Sequence, residues 1–221
     1  MTIKALLFDF DGTIADTHDA SLAIVNRLAP QFGYPRIDEE QLKILKRSHY
    51  LEVFKYLGIS RFKLPCLVRQ IKQELNREIA DLEVYPGIDT VLNHLRHQHY
   101  FLGIVTSNSE ANVLTFLQNN HLDHLFDLVH SGTTLLGKHK ILKRVLRQHQ
   151  LQTHEVVYVG DETRDIEAAK KSLIPIISVA WGFNAPELLA QYHPDFLIET
   201  PAELLQILQN LKQSPVKEGK L

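Results

Sequence analysis

Two aspartates, Asp9 and Asp11, lie within the run LLFDFDGTIADT at residues 6–17, and Gly12 and Thr13 follow them at once. A carboxylate can attack as a nucleophile, carry a proton or ligate a cation. Side chains two positions apart share a face of an extended strand, so this pair can lean over one site. Carboxylates that close repel, and an unbalanced site pushes one pKa up, so a cation is expected beside them. Alone, the pair also fits turn chemistry, which favours Asp and Gly. Three stretches further along the chain carry the argument onward.

Thr106-Ser107-Asn108 ends the apolar run FLGIV at 101–105 and precedes a helical pattern. Ser107 and Glu110 have capping-box spacing, which leaves backbone N–H groups facing the strand end. With Ser107 and the Thr106 hydroxyl, those groups make a phosphate cradle. Gly137-Lys138-His139-Lys140 stands just before the helical pattern at 141–149, where a lysine can neutralise a phosphate or the carboxylates. Gly160-Asp161-Glu162-Thr163-Arg164-Asp165 follows the run VVYV, with Asp165 one helical turn beyond Asp161. Asp9, Asp11, Asp161 and Asp165 offer only oxygen ligands. Such a set suits a hard cation, and Mg²⁺ is the expected one.

These groups need a scaffold that gathers strand ends. Besides the first run, strand-like stretches fall at 101–108, 125–132, 156–161, 174–182 and 195–200. Helical patterns at about 88–98, 109–119, 138–149, 164–171 and 201–212 alternate with them. That alternation predicts an α/β fold with a Rossmann-like, doubly wound parallel sheet, whose strand C-termini bind ligands. From residue 17 to residue 83 no strand-like run occurs, and segments such as ASLAIVNRLAPQF and LVRQIKQELNREIADL are amphipathic. The expected organisation is a core from residues 1–16 and 84–221, with an inserted all-α cap at 17–83 above the strand ends.

Composition narrows the partners. The chain has 221 residues, 44% of them hydrophobic, and a formal net charge of −2, so nothing drives it toward nucleic acid or an anionic membrane. One cysteine, Cys66, rules out an intrachain disulfide, fits a reducing compartment and is expected to be packed or half-exposed. No signal peptide and no run long enough to span a bilayer is visible, so a cytoplasmic location is expected. Oligomeric state is left open.

The ordered set DFDGT, VTSN, GK and GDETRD resembles the four motifs of the haloacid dehalogenase-like hydrolase superfamily, in its phosphoglycolate phosphatase-like branch. The helical insertion is similar to that branch's cap. The resemblance implies an aspartyl-phosphate mechanism in which Asp9 is the nucleophile and Asp11 the acid and then the base. It implies Mg²⁺ held by Asp9, the Asp11 carbonyl and Asp161, with Asp165 supporting from behind. Thr106, Ser107 and Lys138 would hold the phosphoryl group of a small phosphorylated metabolite, a phosphoglycolate-like compound or a sugar phosphate. Lys140 competes with Lys138, and neither precedes the proline usual in the family. Ser172 departs from the glycine that commonly ends the following helix.

Two alternatives share the resemblance. Sugar phosphomutases of this superfamily carry a histidine twelve residues after the nucleophile, where this chain has Ser21. A non-catalytic regulatory module could keep the fold, although a full carboxylate set is costly where nothing is bound. Among other candidates, Arg47 in the basic stretch at 43–49 could recognise a substrate carboxylate or second phosphate. His18, at the entry to the insertion, could approach the substrate. Trp181-Gly182 could sit at the cap-core rim. His94, His97 and His99 lack a metal-binding spacing and suit the end of a helix.

Overall fold

The computed structural model describes residues 3–60, 62–131 and 137–213. Six strands form one parallel sheet: β1 (Ala5–Phe8), β2 (Phe101–Val105), β3 (Leu128–His130), β4 (Val156–Gly160), β5 (Ile176–Val179) and β6 (Phe196–Ile198). Ten α-helices accompany them among the described residues: α1 (His18–Phe32), α2 (Glu39–Lys46), α3 (Tyr50–Tyr56), α4 (Leu64–Glu78), α5 (Ile88–His97), α6 (Glu110–Asn119), α7 (Lys138–Gln148), α8 (Thr163–Ser172), α9 (Pro186–Gln191) and α10 (Pro201–Gln213). The strand order is β3-β2-β1-β4-β5-β6. The chain therefore starts mid-sheet, winds outward to β3 and returns to β4. The switch point lies between β1 and β4, where an open α/β sheet leaves a crevice at its C-terminal edge.

Both faces of the sheet are covered, which is why the strands read as near-continuous apolar runs. Leu6, Phe8, Leu102, Ile104, Val157 and Val159 belong to one buried cluster with residues of α5, α6 and α10. Leu7, Val105, Val156 and Tyr158 belong to the opposite one, with residues of α7, α8 and α9. The alternation along each strand matches its period of two.

Helices α1 to α4 lie between β1 and α5 and have their own apolar cluster, including Ile24, Leu28, Leu45, Leu67 and Leu75. Asp38 and Gln41 form a capping box at α2, and Arg27 on α1 pairs with Glu74 and Glu78 on α4 at 3.0 and 2.7 Å. This unit rests on the sheet domain through several polar contacts. The Ala185 N–H donates to the Lys46 carbonyl at 2.8 Å, His49 lies 3.3 Å from Glu167, and Lys72 donates to the Ser107 carbonyl.

Local details differ from expectation. Helix α6 is capped by Ser109, which accepts the Asn112 N–H at 3.2 Å, not by a Ser107–Glu110 box. The strand stops at Val105, and the three residues after it form the site loop before a helix can start. Helix α9, opened by Pro186, falls between the strand runs at 174–182 and 195–200, where the sequence pattern predicts no helix. Helix α8 ends on Ser172, and Leu173 takes the left-handed position (φ 58°) where glycine is common. Cys66 is exposed. Gly132 of the 125–132 run and the C-terminal PVKEGKL lie outside the described residues. Among the described residues no helix is long and apolar enough to cross a membrane.

Candidate active site

The crevice between β1 and β4 gathers the acids. Asp9 extends β1 by one residue, its N–H donating to the Val159 carbonyl at 2.8 Å, and its side chain is buried. Asp9 Oδ1 accepts the Phe10 N–H at 2.8 Å. Oδ2 lies 2.8 Å from Lys138 Nζ. Lys138 opens α7, is itself buried, and also donates to Asp165 Oδ1 at 2.5 Å. Burial works against its charge, but Asp165 and Asp9 outweigh burial and the ammonium pKa is raised.

Asp161 follows β4. Its Oδ1 accepts from Thr13 Oγ1 at 2.9 Å and its Oδ2 from the Phe183 N–H at 2.8 Å. This close approach needs Gly12, at φ 74°, because a Cβ there would strike the Asp161 carboxylate. Asp165 reaches back to the Glu162 N–H at 3.1 Å in the capping box that starts α8. Asp9, Asp161 and Asp165 each offer an oxygen, and these oxygens lie within 4.8 Å of one another. Burial first, then Glu162, Asp165 and Asp9, raises the Asp161 pKa well above its ordinary value. Burial also raises Asp165, to about 6, against the pull of Lys138.

Asp11 is half-buried and sits apart from that trio. The Asn108 amide donates to its two oxygens at 3.0 and 3.2 Å. Burial and the charge of Asp9 push its pKa up to about 7, with Asn108 opposing. Asn108 is held by the Ser109 N–H and the Asn112 amide at 2.8 and 2.9 Å. Thr106 is buried at the end of β2, its hydroxyl accepting the Asn108 N–H at 3.0 Å.

Charge is out of balance here. Asp9, Asp11, Asp161, Glu162 and Asp165 converge on Lys138, Arg164 and Lys72. Among the described residues carboxylates outnumber cations here, every metal-ligating atom of the trio is an oxygen, and neither histidine nor cysteine joins it. The residues therefore fit a hard divalent cation.

Comparison with known proteins now bears on this geometry. A family model for haloacid dehalogenase-like hydrolases matches residues 6–179. A phosphoglycolate phosphatase of Synechococcus elongatus is 37% identical over 95% of this chain and 99% of its own length. The chain belongs to the haloacid dehalogenase-like hydrolases. It stands in their phosphoglycolate phosphatase-like branch. A phosphoglycolate phosphatase of Vibrio cholerae is 27% identical over 94% of this chain and 97% of its own. The crystal structure of a predicted phosphatase from Clostridium acetobutylicum shares the fold, with a TM-score of 0.82 at 20% identity over 95% of this chain and all (100%) of the other.

In this hydrolase a cavity opens above the acids. Asp11, Ser107, Asp161, His18 and Arg164 border it. Lys140 is exposed, unlike Lys138. Arg47 is not among the residues that line the cavity: its side chain is 66% exposed and lies 3.9 Å from Glu187. It caps the C-terminus of the short α2 and turns outward there, so the expectation that it points down toward the substrate is corrected. His18 does reach the cavity, and its Nε2 is buried without a hydrogen-bond partner. Trp181 stacks on Tyr85 with centroids 5.2 Å apart and donates to the Thr13 carbonyl at 3.2 Å, bracing the first loop. His94 and His97 bond within their own helix turn, to Gln98 and Asn93.

Sequence reasoning left four groups of this hydrolase's site unassigned: Thr13, Lys72, Asn108 and Arg164. Thr13, Asn108 and Arg164 stand inside the quoted motifs, so their hydroxyl, amide and guanidinium were the available signal. Arg164 is half-buried against Glu162 at 2.5 Å, and Glu162, Asp9 and Asp165 keep it charged against burial. Nothing in the spacing around Lys72 marked that residue.

Proposed function

We propose that this hydrolase is a Mg²⁺-dependent phosphatase that transfers a phosphoryl group from a small monoester to Asp9 and then to water. The observation that carries the reading is the buried trio Asp9, Asp161 and Asp165 around Lys138, with Asp11 beside it poised to hold a proton near neutrality. Asp9 attacks phosphorus through a carboxylate oxygen as the P–O bond to the leaving group breaks. Asp11, protonated, gives its proton to the departing oxygen. As carboxylate it then takes a proton from a water whose oxygen attacks phosphorus, and the bond to Asp9 breaks to release phosphate. Lys138 and the Thr106–Ser107 loop hold the phosphoryl oxygens, where fixed charge is worth most. Asp9, the Asp11 carbonyl and Asp161 would hold Mg²⁺ with Asp165 in support, and the ion would supply charge neutralisation.

Helices α1 to α4, residues 17–83, act as the cap that surrounds the leaving group. Phosphoglycolate-like compounds and sugar phosphates are the first substrates to test, in line with the names of the relatives. A cytoplasmic location belongs to the same proposal. Mutase activity is disfavoured, because Ser21, which lines the cavity, offers no proton relay where mutases have histidine. Purified protein with Mg²⁺ is expected to hydrolyse p-nitrophenyl phosphate and members of a phosphometabolite panel, and to stop when the ion is chelated. Inactivity toward the whole panel with Mg²⁺ present would overturn the reading.

A further inference from the structure

The helical unit is hollow. A cavity of about 300 Å³ rises from the floor at Asp11, Ser107 and Asp161 into the space among α1 to α4. Every described residue that lines it from Leu22 to Ile71 is apolar, including Val25, Leu42, Val53 and Phe54. Several of these side chains are only partly buried, although they pack on the unit's own apolar cluster. Protein interiors normally close-pack, and an apolar void lowers stability in proportion to its volume. Apolar cavities accept apolar molecules.

Polarity changes along the cavity in one direction. At the floor are Asp11, Asp161 and Glu162, with Ser107 and Asn108 beside them. Lys72 and Arg164 come next; both line the cavity, and Arg164 Nε is buried without a hydrogen-bond partner. Beyond them the wall is apolar. An anionic head and an apolar body match that order. A two-carbon leaving group would occupy the floor and leave the chamber empty.

We infer that the chamber binds the leaving group, and that preferred substrates are phosphate monoesters with an apolar alkyl or aryl body. The inference rests on the proposed transfer to Asp9. In this arrangement the phosphate meets Lys138, the ester oxygen meets Asp11, and the hydrocarbon fills the space among the helices.

The test is kcat/KM with Mg²⁺ for straight-chain alkyl phosphates from ethyl to octyl, beside phosphoglycolate. A rise of about fourfold per methylene is expected until the chamber fills. Val53→Phe and Ile71→Phe, each checked for folding by circular dichroism, should cut the octyl-to-ethyl ratio at least tenfold. A flat series, or phosphoglycolate ahead of every alkyl phosphate, would overturn the inference while leaving the phosphatase intact. If no monoester at all is hydrolysed, the phosphatase reading fails instead. Calorimetry with octylphosphonate and ethylphosphonate then still judges the chamber: tighter octyl binding supports it, and equal binding overturns it.

Discussion

The sheet domain and the helical unit use the same kinds of residue to opposite ends. In the sheet domain Leu6, Phe8, Leu102 and Ile104 are fully enclosed, and packing this dense holds the strand ends rigid. In the helical unit Leu22, Val53 and Ile71 pack on the local cluster yet keep exposed surface and border a cavity. A site that must position charged oxygens to within fractions of an ångström needs the first kind of interior. A compartment that must admit a molecule needs the second. One of the contacts where the two meet is Lys72, which donates from α4 to the Ser107 carbonyl of the loop after β2.

That contrast can be broken from either side. Lys138→Met removes the buried cation between Asp9 and Asp165, and is expected to cut kcat by about 10²–10³-fold. It should also lower metal-free stability by about 3–5 kcal/mol, read by urea melts, because two buried carboxylates lose their partner. Phe8→Ala in the sheet should cost about 3–5 kcal/mol. Ile71→Ala, on the chamber wall, should cost about 1 kcal/mol, since part of its surroundings is already empty. Equal losses from these two truncations would erase the distinction between the regions.

The next effect sharpens the chemistry of the floor. Asp11, at about 7, and Asp165, at about 6, both stand above the ordinary carboxylate value of 3.8. The folded metal-free protein therefore keeps protons that the unfolded chain has released. Its stability falls as pH rises from about 4 through 7. Asp161, raised likewise, must release its proton to ligate Mg²⁺, so the ion's stabilising effect on Tm is expected to be larger at about pH 8 than at about pH 5.5. Asp11→Asn should flatten part of the metal-free decline. The smallest effect is predicted for Arg47→Ala: exposed and 3.9 Å from Glu187, it should change stability by less than about 0.5 kcal/mol and kcat/KM by less than about twofold.

Much of this was legible in the chain. The runs around β1, β2 and β4 are apolar without interruption because both faces of the sheet are buried, and each ends on polar residues at the crevice. The motif spacing likewise pointed to Asp9, Lys138, Asp161 and Asp165 as neighbours. The outward turn of Arg47 was not legible, because amphipathicity does not say how a short helix sits on a second domain. Arg164 stands in the quoted GDETRD stretch, but its pairing with Glu162 and its place on the cavity wall come from the fold. The hollow was invisible too, since an apolar helix face has the same sequence whether it meets another side chain or a void.

The most direct test of the account is the fate of the phosphoryl group at Asp9. Wild-type protein would be mixed with Mg²⁺ and radiolabelled p-nitrophenyl phosphate, quenched in acid within milliseconds, and compared with Asp9→Asn of unchanged circular dichroism. The account predicts label on the wild-type protein that hydroxylamine removes, and neither label nor turnover in the variant. Turnover retained by Asp9→Asn would contradict it.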